Sequence, residues 1–128
     1  MDYSFTKEVI ITYEEAITKV TEELKKEGFG ILTEINVKET LKKKLDVDFN
    51  KYIILGACNP PFAYKTLQAR EDIGLFLPCN VIVYENKEGK IVIAAINPKV
   101  MVSTFSNTEL EEISNQVAEK LKRVIDNM

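Results

Sequence analysis

The chain is 128 residues long, 45% apolar and 29% charged, with a net charge of −3 and no histidine. Those values describe one globular domain, residues 1–128, large enough to bury about two thirds of its unfolded surface without disulfide or metal staples. They exclude the basic footprint of a nucleic-acid binder, and the missing histidine removes Ser-His-Asp and Cys-His activation and imidazole metal sites. No apolar stretch approaches the roughly 18 residues of a membrane span. The start, MDYSFTKEVI, lacks the basic and apolar regions of a signal peptide. Two cysteines make no disulfide framework. The expectation is a cytoplasmic protein with reduced thiols and no nucleic-acid or membrane partner.

Residues 3–10 partly alternate and read as a strand. Thr12 and Glu15 have capping-box spacing and open a helix whose apolar face is Ala16, Ile17, Val20 and Leu24; Gly28 suits its C′ position. Phe29, Ile31, Thr33 and Ile35 lie two apart, as on one face of a strand. Asn36 caps a short helix with Val37, Leu41 and Leu45 on one face, and Lys42, Lys43 and Lys44 facing water at its end.

Residues 51–57 are a continuous apolar run, as in a strand buried on both faces near the centre of a sheet. Asn59 suits an N-cap and Pro60 the first helical position, giving a helix to about Arg70 with Ala63 and Leu67 inward. Leu75, Leu77, Cys79, Val81 and Val83 would share one face of an unbroken strand, but Pro78 predicts an edge position or an irregular start. A hairpin turn at Asn86–Gly89 leads to a returning strand over 90–96, stopped by Asn97-Pro98. Residues 99–105 carry no assignable pattern. The last helix has Ser106 and Glu109 at capping-box spacing and a stripe of Leu110, Ile113, Val117, Leu121 and Val124. The order βαβαβαββα predicts an α+β fold: two layers, a mainly antiparallel sheet of about five strands and helices on one face.

The stretch from Leu55 to Asn80 holds both cysteines and three of the four prolines. Gly56-Ala57-Cys58-Asn59-Pro60 and Gly74-Leu75-Phe76-Leu77-Pro78-Cys79-Asn80 resemble the two segments that mark the domain-of-unknown-function family 302; Asn97-Pro98, with Met101 beyond, also matches, although many members have aspartate where this chain has Asn97. The resemblance covers essentially the whole chain. It implies a compact, curved, TBP-like α+β fold and pairing as homodimers. It implies no activity, and likeness to a DNA-binding architecture does not confer DNA binding.

Three readings follow for this stretch. The first is a non-catalytic module that binds a small ligand or a partner at Gly56, Cys58, Asn59, Pro78, Cys79, Asn80 and Asn97, with Tyr64 and Arg70 at the rim. Asparagines at element ends would then converge, and Gly56 and Gly74 would let backbone approach closely; plain capping is the competing explanation for each asparagine. The second is a redox or metal protein using Cys58 and Cys79. A thiol before a helix N-terminus has a lowered pKa, but two sulfurs are half of a closed zinc site, and a free cysteine is usually a small buried hydrophobe. No cofactor is indicated beyond that metal. The third is a structural oligomerisation domain using Val100, Met101, Val102 and Phe105.

Overall fold

The computed structural model describes residues 2–128. In chain order the elements are β1 (Ser4–Val9), α1 (Tyr13–Lys26), β2 (Gly30–Asn36), α2 (Val37–Leu45), β3 (Tyr52–Cys58), α3 (Pro60–Ala69), β4 (Cys79–Glu85), β5 (Ile91–Ile96), α4 (Pro98–Val102) and α5 (Thr108–Asp126). A 3-10 turn, Glu71–Phe76, joins α3 to β4. The strands form one antiparallel sheet in the order β1-β5-β4-β3-β2. The helices lie on one side of it, as the element order predicts. The short α4 occupies part of the stretch that has no pattern in the sequence. Among the described residues no helix is long and apolar enough to cross a membrane.

Local chemistry sets the helix ends. The Thr12 hydroxyl accepts the Glu15 N–H at 3.1 Å, and the Glu15 carboxylate accepts the Thr12 N–H at 3.3 Å. Such a reciprocal cap is worth about 1 kcal/mol. Gly28, at φ +89°, turns the chain out of α1 in a conformation that a side chain resists. The cap of α5 is Asn107 rather than Ser106: its carboxamide oxygen accepts the Leu110 N–H at 3.0 Å, so the helix starts one residue later.

Strand alternation sends Leu55, Ala57, Val81, Val83, Ile93 and Ala95 toward the helices, where Val20 and Leu24 of α1 and Val117 and Leu121 of α5 meet them. Full burial of each large side chain is worth about 1.5–3 kcal/mol. β3 and β4 are interior strands, which is why their apolar residues run without a break.

Two expectations fail for identifiable reasons, and the irregular start predicted at Pro78 is observed. Phe29, Ile31, Thr33 and Ile35 do not share a face, because a bulge between Ile31 and Thr33 shifts the register and reverses the alternation beyond it. Phe29 is buried, while Thr33 and Ile35 are exposed. The run from Leu75 to Val83 is not one strand: the 3-10 turn extends to Phe76, the Leu77–Pro78 peptide is cis, and the ladder begins at Cys79. Since β4 is the middle strand, Pro78 marks an irregular approach and not an edge. Finally, the faces predicted for α2 and α3 are not buried. Neither helix buries a residue, and Leu45 is 66% and Leu67 40% exposed.

The sheet face away from the helices is also apolar. Register and alternation place Ile54, Ile82, Val92 and Ala94 on it, whereas Ile96, the last residue of β5, packs against the helix-side core. Tyr52 and Tyr84 stack at 5.1 Å toward one end.

Candidate functional site

The pairing of β3 with β4 sets Cys79 opposite Ala57, next to Cys58. From there the chain leaves the sheet through Asn59 and Pro60 into α3, which packs against α5 and the 3-10 turn. α3 buries none of its side chains and stands off from the sheet. Beneath it lies a cavity of about 330 Å³. Phe29, Ala57 and Cys79 contribute from the sheet, Phe62, Ala63, Thr66 and Leu67 from α3, Ile73 and Leu77 from the linking segment, and Leu110, Ile113 and Val117 from α5. Among the described residues no charged side chain lines it.

The polar groups at its wall are few and mostly engaged. The Thr66 hydroxyl donates to the Phe62 carbonyl at 2.7 Å and the Ser114 hydroxyl to the Glu111 carbonyl at 2.9 Å, each within its own helix. Asn59 is 8% exposed and occupies the N-cap position of α3 without capping it. Its Nδ2 instead donates to the Glu27 carbonyl at 3.1 Å, satisfying an orphan acceptor at the end of α1. That bond fastens the start of α3 to the end of α1 and leaves the Asn59 carboxamide oxygen as the acceptor still open.

Both cysteines are free, Cys58 half-buried and Cys79 buried. Burial, and then the neighbouring Cys58, pushes the Cys79 thiol up to about 11, so it is neutral at ordinary pH and no nucleophile. Cys58 lies diagonal to Cys79 across the β3–β4 ladder, and both line the same cavity without being bonded to each other. Among the described residues no group of three or more Cys, His, Asp or Glu could hold a metal ion, so the two sulfurs find no third ligand within one chain.

The structure brings Cys58, Asn59, Pro78 and Cys79 to the cavity and leaves Gly56, Asn80 and Asn97 outside it. Gly56 faces the open side of the sheet, where Thr33 Oγ1 and the Pro78 ring occupy the space a Cβ would need. Asn80 is exposed on that same side. Asn97 is a cap: its Oδ1 accepts the Lys99 N–H at 3.1 Å and its Nδ2 donates to the Asp2 carbonyl at 3.0 Å. Tyr64 is exposed, and Arg70 pairs with Asp72 at 2.7 Å and lies over the Phe105 ring at 4.3 Å. A site walled by asparagines is therefore not what forms; the wall is aliphatic and aromatic. Phe62, Leu67, Ile73, Leu110 and Ile113 escape a sequence reading because an apolar side chain beside a void looks the same as one in a filled core. The weak signal available was the small size of four lining residues, Ala57, Ala63, Thr66 and Ser114.

The chain matches the family described as Domain of unknown function DUF302 over residues 5–128. It is also similar to a crystal structure of uncharacterized conserved protein DUF302 from Bacillus stearothermophilus, at 32% identity, with 98% of each chain covered and a TM-score of 0.91. No curated protein matches the chain. With the family match running from Phe5 to the last residue and the fold shared end to end, the chain belongs to the DUF302 family.

Proposed function

We propose that this domain is a non-catalytic binding module that holds a small, largely apolar molecule beneath α3. The observation that carries the proposal is the cavity of about 330 Å³ with no charged side chain among the described residues of its lining. Dry aliphatic cavities of about 150 Å³ take up benzene. One roughly twice that size has room for a bicyclic ring system or a medium-length alkyl chain, and lies within the range of natural ligand pockets. Burying the ligand's apolar surface supplies the affinity; the open oxygen of Asn59 and the Cys58 thiol are the polar handles. Both thiols being free fits a reducing, cytoplasmic setting. A redox pair draws less support, since the buried Cys79 thiol holds its proton at ordinary pH.

The test is equilibrium binding of Nile red, an uncharged solvatochromic dye. Saturable uptake of one dye per chain, with blue-shifted emission and displacement by 1-decanol, is expected. Ala63→Phe fills the space and should abolish both signals while the protein stays folded by circular dichroism. Dye uptake that survives this filling places the ligand elsewhere and sinks the proposal.

A second reading concerns assembly. The face bearing Ile54, Ile82 and Ala94, with Val92 at 5% exposure, lies away from the helices, and monomers seldom leave a broad apolar face in water. Two copies pairing there would form an isologous homodimer. The face is a better support for pairing than Met101 and Val102, which turn inward and line the cavity. Ile82→Asp should convert a sedimenting dimer to monomer; an unchanged sedimentation coefficient would dismiss the pairing mode.

A further inference from the structure

The rim of the cavity beside Phe62 is positively charged, against the sign of the chain as a whole. Phe62 is half-buried and forms part of the cavity wall. The Lys65 ammonium stands 5.8 Å and the Lys120 ammonium 5.9 Å from the centre of its ring. Lys65 forms no ion pair among the described residues. The carboxylate nearest to Lys120 is Glu27, at a long 3.9 Å, and Glu27 is already taken by Arg123, whose guanidinium donates to it at 2.9 and 3.3 Å. That hydrogen bond from Arg123 lowers the Glu27 pKa. The two ammonium groups are therefore weakly claimed. The first turn of α3 lies at the same place. It holds no acidic residue, and Asn59 has turned its carboxamide to Glu27 instead of capping it. Pro60 and Pro61 have no N–H and the Ala63 N–H donates to the Asn59 carbonyl at 2.9 Å, which leaves the Phe62 N–H as the donor of that turn.

We infer that the ligand is an amphiphile with a carboxylate head: its hydrocarbon body lies in the cavity beneath α3, and its head is held at the rim by Lys65 and Lys120 beside Phe62. This rests on the binding reading above and narrows it to a chemical class. An uncharged ligand would leave Lys65 without a counter-charge and Lys120 with only the Glu27 carboxylate it shares with Arg123. A carboxylate accepts from both lysines and keeps its charge out of the apolar interior, where an unpaired ion is costly. The solvated rim screens the interaction, so its size is that of one charge-assisted hydrogen bond, about tenfold in affinity.

The experiment is displacement of Nile red by decanoate and by 1-decanol, at pH 7.5 and low salt. The parent chain and the Lys65→Gln/Lys120→Gln double variant are compared, with thermal denaturation as the check on folding. The parent should bind decanoate about tenfold more tightly than decanol, and the double variant should lose that preference while its decanol affinity and Tm stay the same. If decanol binds the parent as tightly as decanoate, or the double variant keeps the preference, the carboxylate inference is overturned and the apolar binding reading stands. If neither compound displaces the dye, both fall together. Raising the salt to 1 M should erase the preference in the parent; a preference that survives it argues against ion pairing at the rim.

Discussion

Replacing Gly56 by alanine places a methyl group where the ring of Pro78 and the hydroxyl of Thr33 already sit. The ideal Cβ would lie 2.8 Å from Pro78 Cγ and closer still to Thr33 Oγ1. The φ angle of Gly56 is not in the left-handed region, so the requirement for glycine here is one of space alone. Forcing a methyl into a filled position costs about 1–3 kcal/mol. Alanine returns about 0.4–1 kcal/mol by restricting the unfolded chain. The net expectation is a loss of about 1–2 kcal/mol, which for a domain of this size lowers Tm by about 3–10 °C. Urea denaturation and thermal scans followed by circular dichroism measure it directly. Thr33 lies on an edge strand and can yield, so adding Thr33→Ala should recover part of the loss, with the remainder assigned to Pro78. Because Pro78 also lines the cavity, ligand binding should weaken in step. Gly74→Ala is the control: its nearest neighbour is Leu67 Cδ2 at 4.0 Å, and the substitution should change stability by less than about 0.5 kcal/mol. A Gly56→Ala protein as stable as the parent would refute the argument from space.

Cys79 makes stability fall at alkaline pH. Its thiol is pushed up to about 11, so the folded chain keeps a proton that the unfolded chain releases near 9. The contribution is whole below pH 9 and is lost as pH rises toward 11, reaching about 2–3 kcal/mol in full. Urea midpoints at pH 8 and pH 10.5 should drop more in the parent than in Cys79→Ala; equal drops would contradict the burial argument. Asn59→Ala removes the donor to the Glu27 carbonyl and should cost about 1–2 kcal/mol by chemical denaturation. Asn80→Ala, exposed on the open face, should fall within about 0.5 kcal/mol of the parent; a cost as large as that at Asn59 would mean Asn80 has a role its exposure hides.

Those two asparagines show what could be read from the chain and what could not. The positions of the strands, the capping box at Thr12 and the stripe of α5 depend on neighbours within a turn or a strand, and local spacing carries them. The adjacency of residues 51–57 and 79–85 had no local signature, because which strands pair is set by contacts far apart in the chain. The partner of Asn59 could not be anticipated, because the carbonyl of Glu27 comes from a helix 32 residues earlier, and cap-like spacing looks the same whether or not the side chain caps. The bulge in β2 was hidden by sequence alternation that continues through it. The cavity was hidden most completely. Whether Phe62 and Ile113 touch each other or a void depends on how far α3 stands from the sheet, which no local pattern encodes.

The bulge between Ile31 and Thr33 also bears on how this molecule avoids uncontrolled association. β2 is one of the two free margins of the sheet. A regular margin offers an unbroken row of amide and carbonyl groups to any extended segment, and strand addition of that kind can continue without limit. The extra residue in β2 interrupts that row and twists the margin, so an incoming strand finds no continuous register to follow. Stacking by the broad faces ends when each face is covered, whereas adding strands at a margin never ends. The misplaced residue in β2 thus steers self-contact from growth in one dimension toward closure.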